Sequence, residues 1–287
     1  MDAPTARKTW RSMEAVHGMI YFTPDAAPSY AAVGITRARS GYFASRVAAM
    51  GAVPAEVVIA TFYNFHPGLV RRSMENVWTH TSPDAMITAR LNAVDSSLRR
   101  AFGDEMLSSV ELAEAAGLTQ RAALAACEHP EGRPLFAAHA SLPWPDEPHL
   151  ALWQGQTLLR EFRGDGHIAA LTLEGLSGLE ALISHAASGD VPAAALQASR
   201  SWNNDEWQGG IAGLAERGLV NGDGSFTEAG RAQRTAIEAA TDRAALVPYL
   251  SLSDDEALTL RGAGKKLSQL VVDAGLLAWN PALLEEG

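Results

Sequence analysis

Hydrophobic residues along much of the chain recur three or four positions apart, which is the spacing of one face of a helix. The clearest stretch is 104–127, which is rich in alanine and leucine. Ser177 and Ser253 each stand three residues before a glutamate, the spacing of a capping box. Ser82 and Pro83 offer an N-cap followed by proline at the first helical position. These patterns predict a mainly α-helical protein whose last helix opens at Ser253 and extends toward Leu277.

A second pattern covers residues 203–240. Asn203 and Asn204 can cap a helix over 205–217, which Gly218 would end. Residues 219–226 then predict a short hairpin, and Thr227 can cap a further helix. Helix, ribbon and helix in this order are typical of a winged helix-turn-helix unit, and the strings at 214–220 and 226–230 resemble the MarR-type winged helix.

The chain also contains a diverged internal repeat. Gly51-Ala-Val-Pro-Ala55 recurs as Gly189-Asp-Val-Pro-Ala193, 138 positions later. Residues from Ala89 to Ala101 match residues 232–244 at an offset of 143, and His17 matches His167 at an offset of 150. Duplicated units usually pack as a pseudo-symmetric pair, and the seam between them is a natural ligand site.

We therefore expect duplicated winged helix-turn-helix-like units with minimal β ribbons and a C-terminal helix. Residues 1–103 would form the first unit and 150–247 the second. Residues 104–149 would connect them through a helix and a proline-rich linker at 133–149, extended over the surface. Residues 248–287 would form the C-terminal helical segment.

Composition narrows the possible functions. The 287 residues include 47% hydrophobic and 20% charged side chains, as in ordinary globular proteins, and the net charge is −10. The predicted recognition helix at 205–217 carries three acidic residues against Arg217, so tight binding to DNA is not expected. The single Cys127 allows no internal disulfide, and we find neither a signal peptide nor an apolar run of membrane-spanning length. A cytoplasmic location is the resulting expectation.

Several longer blocks resemble the SalK-type helix-turn-helix proteins of actinobacteria, over about residues 10–249. The blocks that carry the resemblance are His17 with Tyr21-Phe22, 41–46 (GYFASR), 60–65 (ATFYNF), Ala89-Arg90 with Asp95, 142–145 (LPWP) and 158–167 (LLREFRGDGH). The resemblance implies a helix-turn-helix fold and an actinobacterial source, and it implies no particular activity. Members often carry histidine where this chain has Gln154 and Phe162, which weakens a histidine cluster as the site.

The candidate chemistry centres on residues 160–167. Asp165 could orient and charge His167 as an acid–base pair, while Arg160 and Arg163 could hold a carboxylate or phosphate. The alternative is a helix that ends at Gly164, with Arg163 and Asp165 paired for structure alone. His17, the repeat counterpart of His167, could reach the same cavity, or it could be a hydrogen-bonded core residue.

Aromatic residues occupy equivalent parts of both units. Flat rings suit a pocket for a conjugated ligand and equally suit a core. The ligand-binding candidates, besides Arg160 and Arg163, are Tyr21, Tyr42, Arg46, Phe62, Tyr63, Trp202 and Trp207.

Three functions stay open at this point. The first is a small-molecule-binding protein, or a cofactor-independent acid–base enzyme, with an aromatic or acidic ligand at the seam. The second is a winged-helix transcription regulator, and the third is a haem or metal protein using His17 and His167. The sequence has no recognised metal or nucleotide motif, so the cofactor is unknown, and the oligomeric state is open.

Overall fold

The computed structural model describes residues 1–277, and helices dominate it. In the N-terminal half these are α1 (Ala3–Ser12), α2 (Glu14–Gly18), α3 (Ala26–Ala31), α4 (Ala38–Val47), α5 (Ala55–Phe62), α6 (Pro67–Met74), α7 (Val77–His80) and α8 (Pro83–Leu107). The C-terminal half contains α9 (Val110–Cys127), α10 (Pro134–Ala140), α11 (Pro148–Leu173), α12 (Gly178–Ala187), α13 (Ala193–Arg200), α14 (Asn204–Glu216), α15 (Glu228–Ala244) and α16 (Asp254–Asp273). Short 3₁₀ turns lie at Met19–Tyr21, Ala48–Met50 and Val247–Ser251.

The predicted helix starts are confirmed by their hydrogen bonds. Ser177 and Ser253 both form complete capping boxes, and Asn203 forms a third one with Glu206. The Ser82 side chain accepts from the amide of Ala85, with proline at the first helical position. Each of these caps satisfies backbone groups that would otherwise lack partners at a helix start.

Several local predictions are corrected. The hairpin at 219–226 is reduced to one antiparallel bridge between Val220 and Phe226, and no strand forms within residues 1–277. Residues 133–149 are not extended throughout, because Pro134–Ala140 forms α10, with Leu135 and Phe136 buried. The stretch 104–127 is divided at Ser108 and Ser109, where α8 ends and α9 is capped. The last helix ends at Asp273, and residues 278–287 lie outside the described part.

Three hydrophobic cores organise the chain. The first lobe, α3 to α7 with the start of α8, closes around Phe43, Val58 and Leu69. The second lobe, α12 to α15 with the end of α11, closes around Leu182, Trp207 and Ile237. A central layer of α1, α2, the rest of α8, α9, α11 and α16 forms the third and largest core. Helix α11 belongs to both the layer and the second lobe, so it places one face beside the gap between the lobes.

The two lobes follow a similar local path around the repeated glycine–proline segment. Gly51 and Gly189 have φ values of 85° and 80°, and Pro54 and Pro192 cap helices of eight residues. Those helices end at Tyr63 and Ser201, whose φ values of 51° and 59° are unusual for residues other than glycine. The lobes also differ, because α7 follows α6 in the first lobe and the isolated bridge follows α14 in the second.

No single helix within residues 1–277 has the length and hydropathy that a membrane span requires. Segments 38–50 and 55–62, bent by 93°, meet the criterion only when taken together.

Candidate functional site

A cavity of about 520 Å³ lies between the two lobes against α11. We call it the first cavity. Helix α11 contributes residues from 160 to 171 to its wall. Other lining residues come from α1, α2, α4, α5, α10, α12, α13 and α15 and from residues 63–65. Its lining from α11 consists of Arg160, Glu161, Arg163, Gly164, Asp165, His167, Ile168 and Leu171.

The first cavity is electropositive in an acidic protein. Seven arginines and five carboxylates line it, whereas the whole chain carries a net charge of −10. The arginines are Arg7, Arg11, Arg46, Arg160, Arg163, Arg200 and Arg234. A concave surface with excess positive charge attracts anions and concentrates them near its walls.

A buried ion-pair network joins the first lobe to α11. Arg46 donates to Glu161 over 3.1 Å, and Arg160 lies 3.4 Å from the same carboxylate and 2.9 Å from Glu14. Burial would raise the pKa of Glu161, but the two guanidinium groups outweigh it and lower that pKa to about 2. Glu161 is therefore ionised, and it neutralises only part of the adjacent positive charge.

Asp165 lies at the same wall in a different environment. Its carboxylate accepts from the backbone amide of Phe136 over 2.9 Å, and only 7% of the residue is exposed. Burial raises the pKa of Asp165 to about 6, because the amide bond does not compensate for the lost hydration. This carboxyl group changes its protonation state close to neutral pH.

His167 bonds to Thr241 rather than to Asp165, so the predicted pairing of these two residues is wrong. The Thr241 hydroxyl donates to the carbonyl of Ile237 over 2.8 Å, so His167 Nδ1 must donate to Thr241 over 2.9 Å. Nε2 is then the unprotonated nitrogen of the ring. Burial lowers the pKa of His167 to about 4, which keeps the ring neutral at neutral pH. Asp165 and His167 both line the first cavity, but two residues apart on a helix they face different directions.

Gly164 and Gly166 do not interrupt α11, so the alternative interpretation, a helix that ends at Gly164, is wrong. A Cβ at Gly166 would come within 2.8 Å of Arg133 Nη1 and 3.2 Å of Ala244 Cβ. That glycine permits close packing instead of a turn. Gly164 lines the first cavity, where a Cβ would meet only Glu161 Oε2, at 3.4 Å.

A second cavity of about 430 Å³ adjoins the first and shares five lining residues with it. These shared residues, which we call the dividing wall, are Glu14, Tyr42, Phe65, Arg160 and Arg200. Beyond the wall the second cavity is bounded by Ala15, Gly18, Tyr21 and Phe22, together with Arg39, Ser199 and Leu277. Four of its twelve lining residues are aromatic, a larger share than in the first cavity, and it has fewer charged residues.

Most of the predicted ligand-binding residues meet at these two cavities. Arg46, Phe62, Tyr63 and Arg163 line the first, Tyr21 lines the second, and Tyr42 and Arg160 line both. Arg163 is held 2.7 Å from Asp242 and 3.5 Å from Glu238 on α15. It is not the structural partner of Asp165 that the alternative interpretation required.

His17 does not share a cavity with His167, which corrects that prediction. It lies in the central core with 1% exposure, and its ring stacks on Trp153 at 5.3 Å. Within the described chain neither ring nitrogen has a hydrogen-bond partner, so the expected bonded core histidine is also wrong. Burial and neighbouring arginines hold the pKa of His17 well below its usual range.

The two tryptophans are also placed elsewhere. Trp207 is a core residue of the second lobe with 4% exposure. Trp202 lies where the lobes touch: its Nε1 donates to the carbonyl of Asn64 over 2.9 Å, and its ring meets His66 at 4.9 Å. Neither contributes to the wall of the cavities.

Contacts between the lobes also occupy the start of the predicted recognition helix, α14. His66 Nε2 lies 3.0 Å from Glu206 Oε1 in the first turn of α14, and the amide of His66 donates to the carbonyl of Arg200 over 3.0 Å. The first turn of a recognition helix is the part that usually contacts base edges. Here one residue of that turn, Glu206, bonds to the other lobe, while Asn204 and Asp205 are exposed.

Arg200 and Glu161 are the main site residues that the sequence did not reveal. The repeat offset of 138 places Arg200 on Phe62, which was a candidate, so the alignment of the two units carried that signal. Glu161 stands one residue after Arg160. A helix predicted to continue through Gly164 would have placed Glu161 with the other residues of the site.

Cavities of this kind can hold an uncharged or anionic organic molecule. Among residues 1–277 no group of three or more His, Cys, Asp or Glu side chains is arranged to hold a metal ion.

Comparison with known proteins identifies a family for the chain but no individual relative. Neither the curated proteins nor the solved structures gave a match. The model of a helix-turn-helix family matches residues 6–278, nearly the whole sequence. The predominance of helices agrees with that match, and the chain belongs to this helix-turn-helix family.

Proposed function

We propose that this protein binds a small anionic molecule, with an aromatic or other apolar part, in the first cavity. The observation that carries the proposal is the excess of arginine over carboxylate in a cavity of an acidic protein. Buried arginines without full compensation are costly, and an anionic ligand would offset that cost. The volume of about 520 Å³ lies within the usual range of small-molecule sites.

Aromatic side chains support the organic character of the ligand. Tyr42, Phe62, Tyr63 and Phe65 line the first cavity beside the arginines. Arg46 lies 4.1 Å from the centroid of the Phe62 ring, which fixes the guanidinium against an apolar face. A ligand that combines a flat ring with a carboxylate or sulfonate would satisfy both kinds of side chain.

The test is a calorimetric titration of the purified protein with benzoate and, separately, with benzamide. Benzamide has nearly the same shape and no charge. We expect benzoate to bind and benzamide to bind at least about tenfold more weakly, because a charge-assisted bond to arginine is roughly twice as strong as a neutral one. Equal affinities, or no binding of benzoate, would contradict the proposal.

Gly164→Leu provides the control for location. The new side chain would fill part of the first cavity without a backbone clash, since Gly164 is helical and open on that side. Benzoate binding should be lost while the thermal unfolding temperature stays close to that of the parent. Retained binding would place the benzoate site elsewhere.

Acid–base catalysis in the same cavity is a second candidate. It is favoured by Asp165, whose pKa is raised to about 6, and by His167, whose Nε2 is unprotonated. A buried carboxyl group that titrates near neutral pH is a plausible proton acceptor for a bound acid. Exchange of the benzylic protons of phenylpyruvate, which are on carbon 3 next to the ketone, can be followed in deuterated water with the parent protein and with Asp165→Asn to test this. A rate unchanged by the protein would contradict it.

The regulator alternative has less support. Glu206 in the first turn of α14 bonds to His66, and Arg71 of α6 forms an ion pair with Glu56 at 2.9 Å. An electrophoretic shift with DNA from upstream of the protein's own gene, repeated at increasing salt, is the direct test. Salt-sensitive binding below micromolar concentration would favour the regulator.

The haem or metal alternative has no support from the positions of its two histidines, because His17 and His167 lie in separate environments.

We further infer that the chain is of the SalK type, that it comes from an actinobacterium, and that the lobes are duplicated units. The repeated glycine–proline segments and the eight-residue helices that follow them support the duplication. Superposition of residues 38–107 on 178–246 would test it, with Pro54 over Pro192 and Ala93 over Ala236. A different direction of the matched helices would contradict it.

A further inference from the structure

The dividing wall separates two cavities of different character. The first cavity has twelve Arg, Asp or Glu residues in its lining, whereas the second has four and adds the rings of Tyr21 and Phe22 to the shared Phe65. The residues of the wall come from α2, α4, α11 and α13 and, for Phe65, from the segment between α5 and α6. A ligand that reaches across the wall could therefore contact all of these elements at once.

Arg200 is the cation of the wall with the fewest partners. Its guanidinium lies 4.6 Å from the centroid of Phe65 and donates to Ser199 Oγ over 2.9 Å. Its Nε is buried without a hydrogen-bond partner, and no carboxylate within residues 1–277 forms an ion pair with it. Burial lowers the pKa of Arg200, although a guanidinium keeps its charge. By contrast, Arg160 and Arg46 are already paired with Glu14 and Glu161.

The pKa of Tyr42 indicates a positive electrostatic potential at the dividing wall. Burial raises the pKa of its phenol, but Arg46, Arg200 and Arg160 outweigh burial and lower that pKa overall. Arg46 donates to the phenol oxygen over 2.9 Å. A buried phenol normally shifts the other way, so the wall favours negative charge at this point.

We propose that the two cavities form one bipartite site for an elongated aryl carboxylate, which crosses the dividing wall: its carboxylate lies on the side of the first cavity against Arg200, and its aromatic end lies in the second cavity. This rests on the proposed function and specifies the ligand class. The rings of Tyr21, Phe22 and Phe65 surround the aromatic end, and Tyr42 and Arg160 lie beside the carboxylate. A short acid such as benzoate reaches Arg200 from the first cavity only.

The test compares benzoate with 6-phenylhexanoate and 6-phenylhexanamide by calorimetry on the full chain. We expect 6-phenylhexanoate to bind about tenfold or more tightly than benzoate, since the longer acid buries more apolar surface. Its amide should bind more weakly than the acid, since Arg200 would have no charge to neutralise.

Gly18→Leu tests the second cavity. Gly18 is helical, and no atom lies within 4 Å of its Cβ position, so the new side chain can enter the cavity without backbone strain. It should remove the advantage of 6-phenylhexanoate and leave benzoate affinity unchanged. Ala15→Leu fills the same cavity from the preceding turn and replaces Gly18→Leu if that variant does not fold.

Arg200→Met tests the anchor. It keeps the apolar contact with Phe65 and removes the charge, so both acids should lose about tenfold or more in affinity while the amide is unaffected. If neither filling variant changes 6-phenylhexanoate binding, or if Arg200→Met leaves both acids unchanged, the bipartite site is wrong. In that case loss of benzoate binding in Gly164→Leu would still support the first cavity on its own.

Discussion

The indole of Trp202 donates a hydrogen bond to the carbonyl oxygen of Asn64 over 2.9 Å, and the two residues are 138 positions apart. The same offset relates Pro54 to Pro192. In a pair related by a twofold axis, positions near the axis contact their own equivalents. The contact between Asn64 and Trp202 would have this property if the lobes are duplicated units, as we propose. It joins the turn that leads into α6 in one lobe to the turn that leads into α14 in the other.

We predict that Trp202→Phe weakens this junction. The variant leaves the Asn64 carbonyl without its partner, which should lower the free energy of unfolding by about 1–2 kcal/mol. Trp78→Phe is the matched control, because its Nε1 donates to the Val53 carbonyl over the same 2.9 Å within the first lobe. Urea unfolding should show similar losses for both variants, whereas benzoate affinity should fall only in Trp202→Phe. Equal effects on affinity would contradict a role for the junction in shaping the cavity.

A second prediction concerns Gly178, the first residue of α12. A Cβ there would overlap the carbonyl oxygen of Tyr63. Any residue other than glycine would therefore prevent the close approach of the lobes at this point. Gly178→Ala should destabilise the protein by about 1–3 kcal/mol, the usual range for overpacking. Gly209→Ala, at an exposed helical position with no atom within 4 Å, should instead stabilise it by about 0.5–1 kcal/mol. Thermal melts of both variants decide the matter, and a neutral Gly178→Ala would show that the lobes can move apart freely.

The sequence predicted those parts of the fold that depend on neighbouring residues. Ser177, Asn203 and Ser253 cap helices through bonds that span three positions, so a local pattern was sufficient. The alternative of a helix end at Gly164 was wrong because long-range packing determines the structure there. Burial of α11 outweighs the low helix propensity of glycine, and Gly166 is needed for the approach of Arg133 and Ala244.

The candidate site was predicted only in part, because local patterns indicate residues on one helix but not contacts between distant parts of the chain. Arg160, Arg163 and His167 lie on one helix, and their shared wall follows from helical spacing. Arg200 reaches the site from α13, a separate helix of the second lobe, which no local pattern indicates. The pairing of Asp165 with His167 failed because partners in the fold, the Phe136 amide and the Thr241 hydroxyl, satisfy each side chain separately.

A third prediction concerns Glu161, which separates Arg46 from Arg160. Glu161→Gln removes the negative charge and leaves two buried guanidinium groups with less compensation, so the free energy of unfolding should fall by about 3–5 kcal/mol. The same change makes the cavity more positive, so benzoate should bind several-fold more tightly. Chemical unfolding and calorimetry at neutral pH measure the two effects. A variant that loses stability and benzoate affinity together would show that Glu161 positions the arginines for the ligand.

His17→Phe is predicted to be tolerated. The ring of His17 makes no hydrogen bond within residues 1–277 and stacks on Trp153, so an apolar ring can replace it without leaving a donor unsatisfied. Because the folded pKa lies below the usual value, the neutral form is favoured and acid destabilises the folded state. His17→Phe should therefore resist acid unfolding better than the parent and match or exceed its stability at pH 7. His139→Phe is the contrasting variant, because its Nε2 bonds to the Arg46 carbonyl at 3.0 Å and that bond would be lost.

The last prediction uses the titration of Asp165. Its folded pKa of about 6 lies above the ordinary value of 3.8, so between these pH values the folded chain holds a proton that the unfolded chain has released. The contribution of Asp165 to the free energy of unfolding therefore falls as pH rises from about 4 to about 6. Asp165→Asn cannot ionise and should be more stable than the parent by about 2–3 kcal/mol above pH 6, and by little at pH 4.

The affinity for an anion should also change as Asp165 titrates. Above pH 6 the ionised Asp165 repels an anion in the first cavity, and protonation below pH 6 removes that repulsion. Benzenesulfonate, which stays ionised throughout, should bind more tightly at pH 5 than at pH 7 in the parent protein. In Asp165→Asn this difference should shrink to the contribution of the cavity histidines His167 and His185, whose pKa values are both lowered by burial. Calorimetry of the two proteins at both pH values gives four affinities. If the parent and the variant show the same change with pH, Asp165 does not face the bound anion, and the ligand must lie farther from this part of α11.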